Sequence, residues 1–323
     1  MNKNASETPL RLGQTDIYVS PLGVGAWSWG DRMFWGYGQK GGYTDEDIHA
    51  AYQASLECGI TFYDTAEVYG FGLSEEILGR LVREATPPDR KIVVASKFFP
   101  YPFRISRRFL MRSLHNSLKR LGMECLDLYQ IHWPLPPISI QTWMDELADA
   151  MQTGLIRAAG VSNYAMDQML CANRALARRG VSLASNQVKY SLLTRNVERS
   201  GLLAACKEFG ITLIAYSPLE MGMLTGKYTP ENPPSGLRGW RYSRHYLYCI
   251  QPMIDVLRSI GEAHGGKTPA QVALNWVMCK GALPIVGAKN LRQANENAGA
   301  LGWRLNEEEI TALDQTSDDT TKP

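Results

Sequence analysis

Short apolar runs recur along the 323-residue chain and are separated by segments with helical spacing. The eight candidate strands lie at residues 22–24, 60–63, 92–95, 126–131, 156–161, 183–188, 211–215 and 283–286. The intervening segments with helical spacing include residues 45–58, 74–84, 107–121, 142–153, 166–178 and 201–209. Strands that alternate with helices indicate parallel β-α-β units, and eight such units close a barrel. The pattern therefore predicts the α/β class and a single (β/α)8 barrel.

An open, doubly wound sheet is the alternative that this alternation leaves open. Sheets of that kind that bind dinucleotides carry G-x-G-x-x-G between the first strand and its helix. Here Gly23-Val24-Gly25 is followed by Trp27, without a third glycine at that spacing. The glycine pattern therefore favours the barrel.

The connections between these elements predict how the ends of the barrel are covered. We expect one domain over residues 1–323, with an N-terminal hairpin within residues 1–20 that turns at Gly13 and plugs the bottom of the barrel. Residues 25–43, 98–106 and 217–251 form long connections that follow strands, so they open on the C-terminal face. All three are rich in aromatic residues, which suits the walls of an apolar pocket.

Composition excludes several classes of protein. Lys and Arg total 34 against 32 for Asp and Glu, so a net charge of +2 gives no strong field toward nucleic acid or acidic membranes. No segment reads as a signal peptide or a membrane helix. The six cysteines are scattered, with no Cys/His cluster at metal spacing. We expect a reduced, cytoplasmic protein without a metal, whose oligomeric state the sequence does not indicate.

Four polar residues follow three successive predicted strands. Asp64 ends the second strand, Tyr69 lies in the next loop, Lys97 ends the third strand and His132 ends the fourth. Active sites of barrels lie at the C-terminal ends of the strands, so these four side chains should converge.

Each of the four has a chemical use in such a site. A phenol has a pKa of about 10, so Tyr69 needs a nearby ammonium such as Lys97 to become an effective proton donor. Asp64 would keep that buried ammonium charged and in position. His132 could donate a hydrogen bond to a substrate oxygen.

Six motifs make the chain resemble the aldo-keto reductases, and they occur in the order found in that family. They are YDTAEVYG at 63–70, SK at 96–97, IHW at 131–133, GVSNY at 160–164, NQ at 186–187 and AYSPL at 215–219. The resemblance implies that Asp64, Tyr69, Lys97 and His132 are the catalytic tetrad. It also implies the reversible, NADPH-dependent reduction of an aldehyde or ketone to an alcohol.

The resemblance further implies a site for NADP(H) without a Rossmann fold. Tyr216 would stack on the nicotinamide, and Ser162, Asn163 and Gln187 would bind its carboxamide. Residues 217–251 would be the long loop that covers the cofactor, and Lys289 and Arg292 would bind the 2′-phosphate. The other implied cofactor residues are Gly25, Trp27, Ser217, Leu219, Gly222, Leu224, Lys227, Gly287, Gln293, Glu296 and Asn297.

The substrate is predicted less closely than the cofactor. Trp29, Phe98 and Trp133 are candidate substrate-binding residues for a small carbonyl compound. The branch of the family that this chain resembles also includes the β subunits of potassium channels, so a redox-sensing subunit with slow turnover is the alternative function. An aldolase that forms a Schiff base on Lys97 is a third hypothesis, but it explains neither Tyr216 nor the segment 287–297.

Overall fold

The computed structural model of the protein describes residues 8–320, and in them ten strands form a small hairpin and a closed barrel. The hairpin strands are β1 (Leu10–Arg11) and β2 (Tyr18–Val19). The barrel strands are β3 (Gly23–Gly25), β4 (Phe62–Asp64), β5 (Val93–Phe98), β6 (Leu126–Ile131), β7 (Ile156–Ser162), β8 (Leu183–Lys189), β9 (Thr212–Tyr216) and β10 (Leu283–Val286). All barrel pairs are parallel, and β10 closes the barrel against β3. The predicted fold class is confirmed.

Twelve α-helices lie in the described residues, most of them on the outside of the barrel. They are α1 (Asp45–Glu57), α2 (Leu73–Ala85), α3 (Arg108–Leu121), α4 (Ile140–Gln152), α5 (Met166–Ala177), α6 (Asn196–Arg199), α7 (Leu202–Glu208), α8 (Gly236–Arg241), α9 (Arg244–Ala263), α10 (Pro269–Cys279), α11 (Leu291–Ala298) and α12 (Glu307–Thr320). Residues 26–28, 69–72 and 220–225 form 3-10 turns. Each of the six helical segments predicted above corresponds to a helix, with ends that agree within two residues.

The start of α10 illustrates how local sequence sets a helix boundary. The Thr268 hydroxyl accepts a hydrogen bond from the Gln271 amide at 3.3 Å, and the Gln271 side chain accepts one from the Thr268 amide at 3.0 Å. This reciprocal pair satisfies two backbone donors that a helix start leaves open, and Pro269 at the first position needs no partner for its nitrogen. The helix therefore begins at Pro269.

The N-terminal hairpin closes the lower end of the barrel. Leu12, Ile17 and Val19 are buried among the inward side chains at the N-terminal ends of the strands. Gly13 makes the turn with φ +59°, and a Cβ there would lie 2.5 Å from the Ala184 carbonyl oxygen, so only glycine fits. The predicted plug is confirmed, and a ligand must enter from the opposite end. Residues 1–7 and 321–323 of the predicted domain lie outside the described residues.

The segment 217–251 differs from the long loop predicted from the sequence. It contains the 3-10 turn at 220–225, all of α8 and the first residues of α9. The side chains of Leu247, Ile250 and Tyr242 are buried against Met223, which lies in the turn. This small apolar cluster fixes the segment above the barrel.

No helix in residues 8–320 combines the length and the apolar character that crossing a membrane requires. The cytoplasmic location stays a prediction.

Candidate active site

The four predicted catalytic residues meet at the C-terminal end of the barrel. Asp64 is the last residue of β4, Lys97 lies near the end of β5, and His132 directly follows β6. Tyr69 begins the 3-10 turn that leads into α2. Parallel pairing of β4 with β5 and of β5 with β6 brings these positions together, although 68 residues separate Asp64 from His132 in the chain.

Asp64 and Lys97 form a buried ion pair at this end of the barrel. The Lys97 side chain is fully buried, and its Nζ donates hydrogen bonds to Asp64 Oδ1 and, at 2.8 Å, to the Thr65 carbonyl oxygen. Burial lowers the pKa of Lys97, but the carboxylate of Asp64 and the phenol of Tyr69 outweigh it, so that the pKa lies above its usual value. Lys97 therefore stays a cation at neutral pH.

The Tyr69 phenol lies directly above this ion pair. Its hydroxyl oxygen is 3.4 Å from Lys97 Nζ, and the ammonium also lies 5.0 Å from the centre of the ring. Burial raises the pKa of Tyr69, while the Lys97 ammonium lowers it and the Asp64 carboxylate adds to the rise. The net direction is opposite to the one expected from Lys97 alone, because burial is the larger effect. Tyr69 is therefore protonated at neutral pH and can donate a proton.

The His132 imidazole faces the ring of Tyr69 edge-on, with 5.7 Å between the ring centres. Burial lowers the pKa of His132 well below its usual value, and the nearby Lys97 ammonium lowers it further. The imidazole is thus neutral and has a single N–H donor. Its Nδ1 atom is buried and has no hydrogen-bond partner within residues 8–320.

The turn behind Tyr69 has an unusual backbone. Gly70, Phe71 and Gly72 are three successive residues with left-handed φ values of +56°, +57° and +95°. At Gly72 a Cβ would lie 2.8 Å from the Arg120 side chain, so the turn packs tightly on α3. Arg120 is held in turn by the buried Glu75 carboxylate at 2.6 Å. These contacts fix the start of α2 and with it the position of Tyr69.

A cleft of about 570 Å³ opens above the four residues and runs toward the start of α11. Most of the predicted cofactor residues line it, and so do Asp64, Tyr69, His132 and the predicted substrate residue Trp133. The predicted cofactor residues on its walls are Gly25, Trp27, Ser162, Asn163, Gln187, Tyr216, Ser217, Leu219, Gly222, Lys227, Gly287, Lys289, Arg292, Gln293, Glu296 and Asn297.

Three predicted ligand-binding residues lie outside the cleft, and all three are fully buried. Trp29 points into the core and donates a hydrogen bond from Nε1 to the Ala288 carbonyl oxygen at 2.8 Å. Phe98 packs edge-on against Trp143, and Leu224 belongs to the same core. Neighbouring residues in a strand face opposite sides, so Phe98 points outward because Lys97 points inward. We correct the assignment of these three residues to packing.

At the end of the cleft near the tetrad, amide and hydroxyl side chains form a hydrogen-bond network. Asn163 Nδ2 donates to the His132 carbonyl oxygen at 3.1 Å, and the Tyr216 hydroxyl donates to Asn163 Oδ1 at 2.9 Å. Gln187 has a partner that the sequence did not predict, because its Nε2 donates to Asp64 Oδ2 at 2.8 Å. Gln187 therefore links this end of the cleft to the ion pair.

The far end of the cleft carries the basic residues. Lys289 Nζ lies 5.0 Å from the Trp35 ring centre and 5.1 Å from that of Tyr43, in contact with the loop that follows β3. Arg292, in the first turn of α11, has 75% of its side chain exposed and pairs with Glu296 at 3.2 Å. Two cations at a helix start favour a bound anion.

The turn at 220–225, which follows β9, is anchored to the barrel by a buried carboxylate. Glu220 pairs with Lys189 at 2.5 Å and accepts a hydrogen bond from the Tyr242 hydroxyl at 3.2 Å. Residues 217, 220 and 221 have φ values of +53°, +46° and +55°, an uncommon conformation for residues with side chains. The anchor holds the strained turn so that its residues form one wall of the cleft.

The sequence was compared with known protein families. The family model described as "Aldo/keto reductase family" matches residues 21–318. This chain belongs to the aldo-keto reductase family. Proteins of this family are oxidoreductases that use NADP(H).

Individual relatives are similar along nearly their whole length. The chloroplastic pyridoxal reductase of Arabidopsis thaliana is 38% identical over 316 residues, which cover 95% of this chain and 85% of the relative. The structure of a glycerol dehydrogenase from Gluconobacter oxydans has a TM-score of 0.83 at 28% identity and covers 100% of this chain and 98% of its own. An aldo/keto reductase from Klebsiella pneumoniae, solved with NADP and acetate, has a TM-score of 0.74 at 28% identity, with 98% and 96% covered.

Sequence reasoning missed several residues of this site. Ser28 and Val68 line the cleft, and the Ser28 hydroxyl is buried without a hydrogen-bond partner among the described residues. Trp35, from the aromatic-rich connection at 25–43, lines it as well. Gln130 donates a hydrogen bond to Asp64 Oδ2 at 3.2 Å. A polar residue inside the otherwise apolar end of β6 was a signal that could have identified Gln130. Ser28 carries no such signal, because the path of its loop depends on contacts with Ala288 and Lys289, which lie between β10 and α11.

Proposed function

We propose that this protein reduces an aldehyde or ketone to an alcohol with NADPH, and that Tyr69 is the proton donor. The observation that carries the proposal is the position of the phenol. Its hydroxyl lies 3.4 Å from a fully buried ammonium and opens on the same cleft as a neutral imidazole. A proton donor, a cation that stabilises its conjugate base and a hydrogen-bond donor for the oxygen are what carbonyl reduction requires.

The residues of the cleft fit NADP(H). At the far end Lys289 and Arg292 would meet the 2′-phosphate, and Lys227 would meet the pyrophosphate. The glycines at 25 and 287 leave room for a ligand between β3 and β10, since a Cβ on Gly287 would come no closer than 3.8 Å to its neighbours. The buried Ser28 hydroxyl, for which the described residues offer no hydrogen-bond partner, faces this part of the cleft. When bound, NADPH supplies the hydride.

Ser162, Asn163 and Gln187 would bind the carboxamide of the nicotinamide, and the ring of Tyr216 would lie against one of its faces. Side-chain amides and hydroxyls offer the donors and acceptors that an amide needs. The hydrogen bond from Tyr216 to Asn163 Oδ1 supports this assignment, because it fixes the aromatic ring relative to the amide group. A fixed ring presents one face for the transfer.

In the reaction, the residues of this chain handle the oxygen of the substrate. His132 donates a hydrogen bond that orients the carbonyl oxygen toward Tyr69. The Tyr69 hydroxyl then gives its proton to that oxygen, and Lys97 stabilises the phenolate that forms. Asp64 keeps Lys97 charged and in place. The reverse sequence, in which the phenolate accepts the proton, would oxidise an alcohol.

The cleft wall near Tyr69 favours a carbonyl compound with apolar surface. Trp27 lies 6.3 Å from Tyr69 between ring centres, and Trp133 is 40% exposed beside His132. Arg104, on the loop that follows β5, is already paired with Glu67 at 2.5 Å. Flat, uncharged aldehydes suit these walls, and pyridoxal belongs in the test because a relative is named for its reduction.

The test of the proposal is multiple-turnover oxidation of NADPH by the purified protein with 4-nitrobenzaldehyde, pyridoxal and a panel of ketones. We expect many equivalents of NADPH to be consumed per protein, with an alcohol as product. Oxidation that stops at or below one equivalent with every carbonyl compound would instead favour the redox-sensing subunit. Trapping of a substrate adduct on Lys97 by borohydride would favour the aldolase.

Replacing Lys289 by Ala tests the preference for NADPH. We expect the Kd for NADPH to rise about tenfold, since one charge-assisted contact with a phosphate is worth about 1.5 kcal/mol. The Kd for NADH should change less than twofold, which fluorescence titration of both cofactors can measure. Arg292→Ala is the matched variant, and its effect should be smaller because that side chain is mostly exposed. Equal losses for both cofactors would contradict a 2′-phosphate site.

A further inference from the structure

A line of paired strand positions crosses the barrel next to the tetrad. Lys97 on β5 is paired with Gln130 on β6, Gln130 with Gly160 on β7, and Gly160 with Ser185 on β8. Leu128 lies in the cluster inside the barrel, so Gln130, two residues later, faces the interior as well. Gln130 and Ser185 are both fully buried. The register therefore brings two polar side chains into the barrel beside Lys97.

These two side chains form a hydrogen-bonded chain that ends on the catalytic carboxylate. Ser185 Oγ donates to Gln130 Oε1 at 3.4 Å, and Gln130 Nε2 donates to Asp64 Oδ2 at 3.2 Å. The other carboxylate oxygen, Oδ1, accepts from Lys97. The chain thus reaches Tyr69 through Asp64 and Lys97.

Glycine at position 160 makes room for this chain. A Cβ there would lie 2.5 Å from Ser185 Oγ and 2.9 Å from Gln130 Cγ, closer than side-chain atoms pack. Gly160 has no left-handed φ that would require glycine for the backbone. The space beside the two polar side chains is therefore the reason for glycine at this position of the strand.

Gln130 also differs from the second amide on Asp64. Gln187 donates to the same Oδ2 atom at 2.8 Å, but Gln187 lines the cleft and is assigned above to the cofactor carboxamide. Gln130 does not line the cleft. When Gln187 turns to the cofactor, Gln130 is the amide that continues to hold Oδ2.

We propose that Gln130, supported by Ser185, is a positioning residue that fixes the Asp64 carboxylate so that Lys97 stays aligned with the Tyr69 hydroxyl. This rests on the proposed function, because it assigns Gln130 to the proton-donating step of that reaction. Without the amide donor, the carboxylate would rotate or draw Lys97 away from the phenol, and the phenolate that forms on proton transfer would be stabilised less well.

The experiment compares the wild type with Gln130→Met, which keeps the length of the side chain but removes the donor. We expect the single-turnover rate of NADPH oxidation to fall about tenfold, as for the loss of one hydrogen bond to a charged group. The KM for the aldehyde and the Kd for NADPH should stay within twofold. A loss in the transfer step without a loss in binding is not expected from a purely structural role.

A second variant, Ser185→Ala, keeps the proposal testable if Gln130→Met does not fold. Ser185→Ala should lower the same rate about threefold, and it should have no further effect in the Gln130→Met background, because Ser185 acts through Gln130. Ser55→Ala is the matched control, since Ser55 is also almost fully buried, lies on α1 away from the tetrad and donates its hydroxyl hydrogen to the Ala51 carbonyl oxygen at 2.8 Å. Its rate should equal that of the wild type.

The possible results separate this inference from the function on which it rests. A transfer rate within twofold of the wild type for Gln130→Met, or an equal loss for Ser55→Ala, would overturn the positioning role alone. A wild type that reduces no carbonyl compound would overturn the proposed function, and the positioning role with it.

Discussion

Replacement of Tyr69 by Phe is expected to lower the single-turnover rate of carbonyl reduction about 10³-fold, the loss typical when a positioned general acid is removed. The substitution removes one oxygen atom and leaves the ring in contact with Trp27 and His132. The Lys97–Asp64 ion pair loses only a hydrogen bond of 3.4 Å, so the fold should be retained. Affinity for NADPH should change less than twofold.

The measurement is rapid-mixing absorbance at the NADPH band, with cofactor affinity determined separately by fluorescence. Tyr164, which follows Asn163 in the chain, gives the matched control Tyr164→Phe, because its hydroxyl is buried and has no hydrogen-bond partner in the part of the chain that the structure describes. The control should keep the full rate. If Tyr69→Phe also kept it, another group would have to supply the proton, and the role proposed for Tyr69 would be wrong.

The convergence of the tetrad was predictable because it depends on strand order alone. Asp64, Lys97 and His132 each end an apolar run, and parallel neighbours in a barrel align their ends whatever the loops between them do. The plug was predictable for a similar reason, since Gly13 between two short apolar segments indicates a turn. The spacing of apolar residues and of a glycine along the chain is enough to predict both features.

The features that were missed depend on contacts across the fold. Trp29 and Trp27 are two residues apart in an irregular loop, and only packing against Ala288 decides that Trp29 enters the core while Trp27 faces the cleft. The helices within residues 217–251 were missed because their buried side chains pack on the turn at 220–225, which lacks a regular period. Gln187 was assigned to a ligand, but its bond to Asp64 required the barrel register to be known.

The direction of the pKa shift of Tyr69 also could not be predicted from the sequence. Sequence position indicates that an ammonium lies near the phenol, and that ammonium does lower the pKa of Tyr69. How deeply the phenol is buried cannot be read from residue spacing, and burial raises the pKa by more than Lys97 lowers it. The identity of the groups was therefore predictable, but the balance between them was not.

Replacement of Lys97 by Met should have an effect on stability as well as on the reaction. It leaves the Asp64 carboxylate buried with only neutral donors, and breaking a buried ion pair in this way costs about 3–5 kcal/mol of unfolding free energy. It also removes the cation that stabilises the Tyr69 phenolate, so the transfer rate should fall about 10³-fold. Urea unfolding followed by tryptophan fluorescence, together with single-turnover kinetics, measures both effects.

A second substitution in the same pair separates the two effects. The double variant Asp64→Asn/Lys97→Met has no charged side chain at either position of the pair. The Asn side-chain oxygen can still accept hydrogen bonds from Gln130 and Gln187. We expect this double variant to regain most of the unfolding free energy lost by Lys97→Met, because its interior holds no unpaired charge. Its transfer rate should remain as low as that of Lys97→Met, because the phenol still lacks its cation. Recovery of the rate together with the stability would mean that Lys97 serves the fold, and that the ion pair does not act in catalysis.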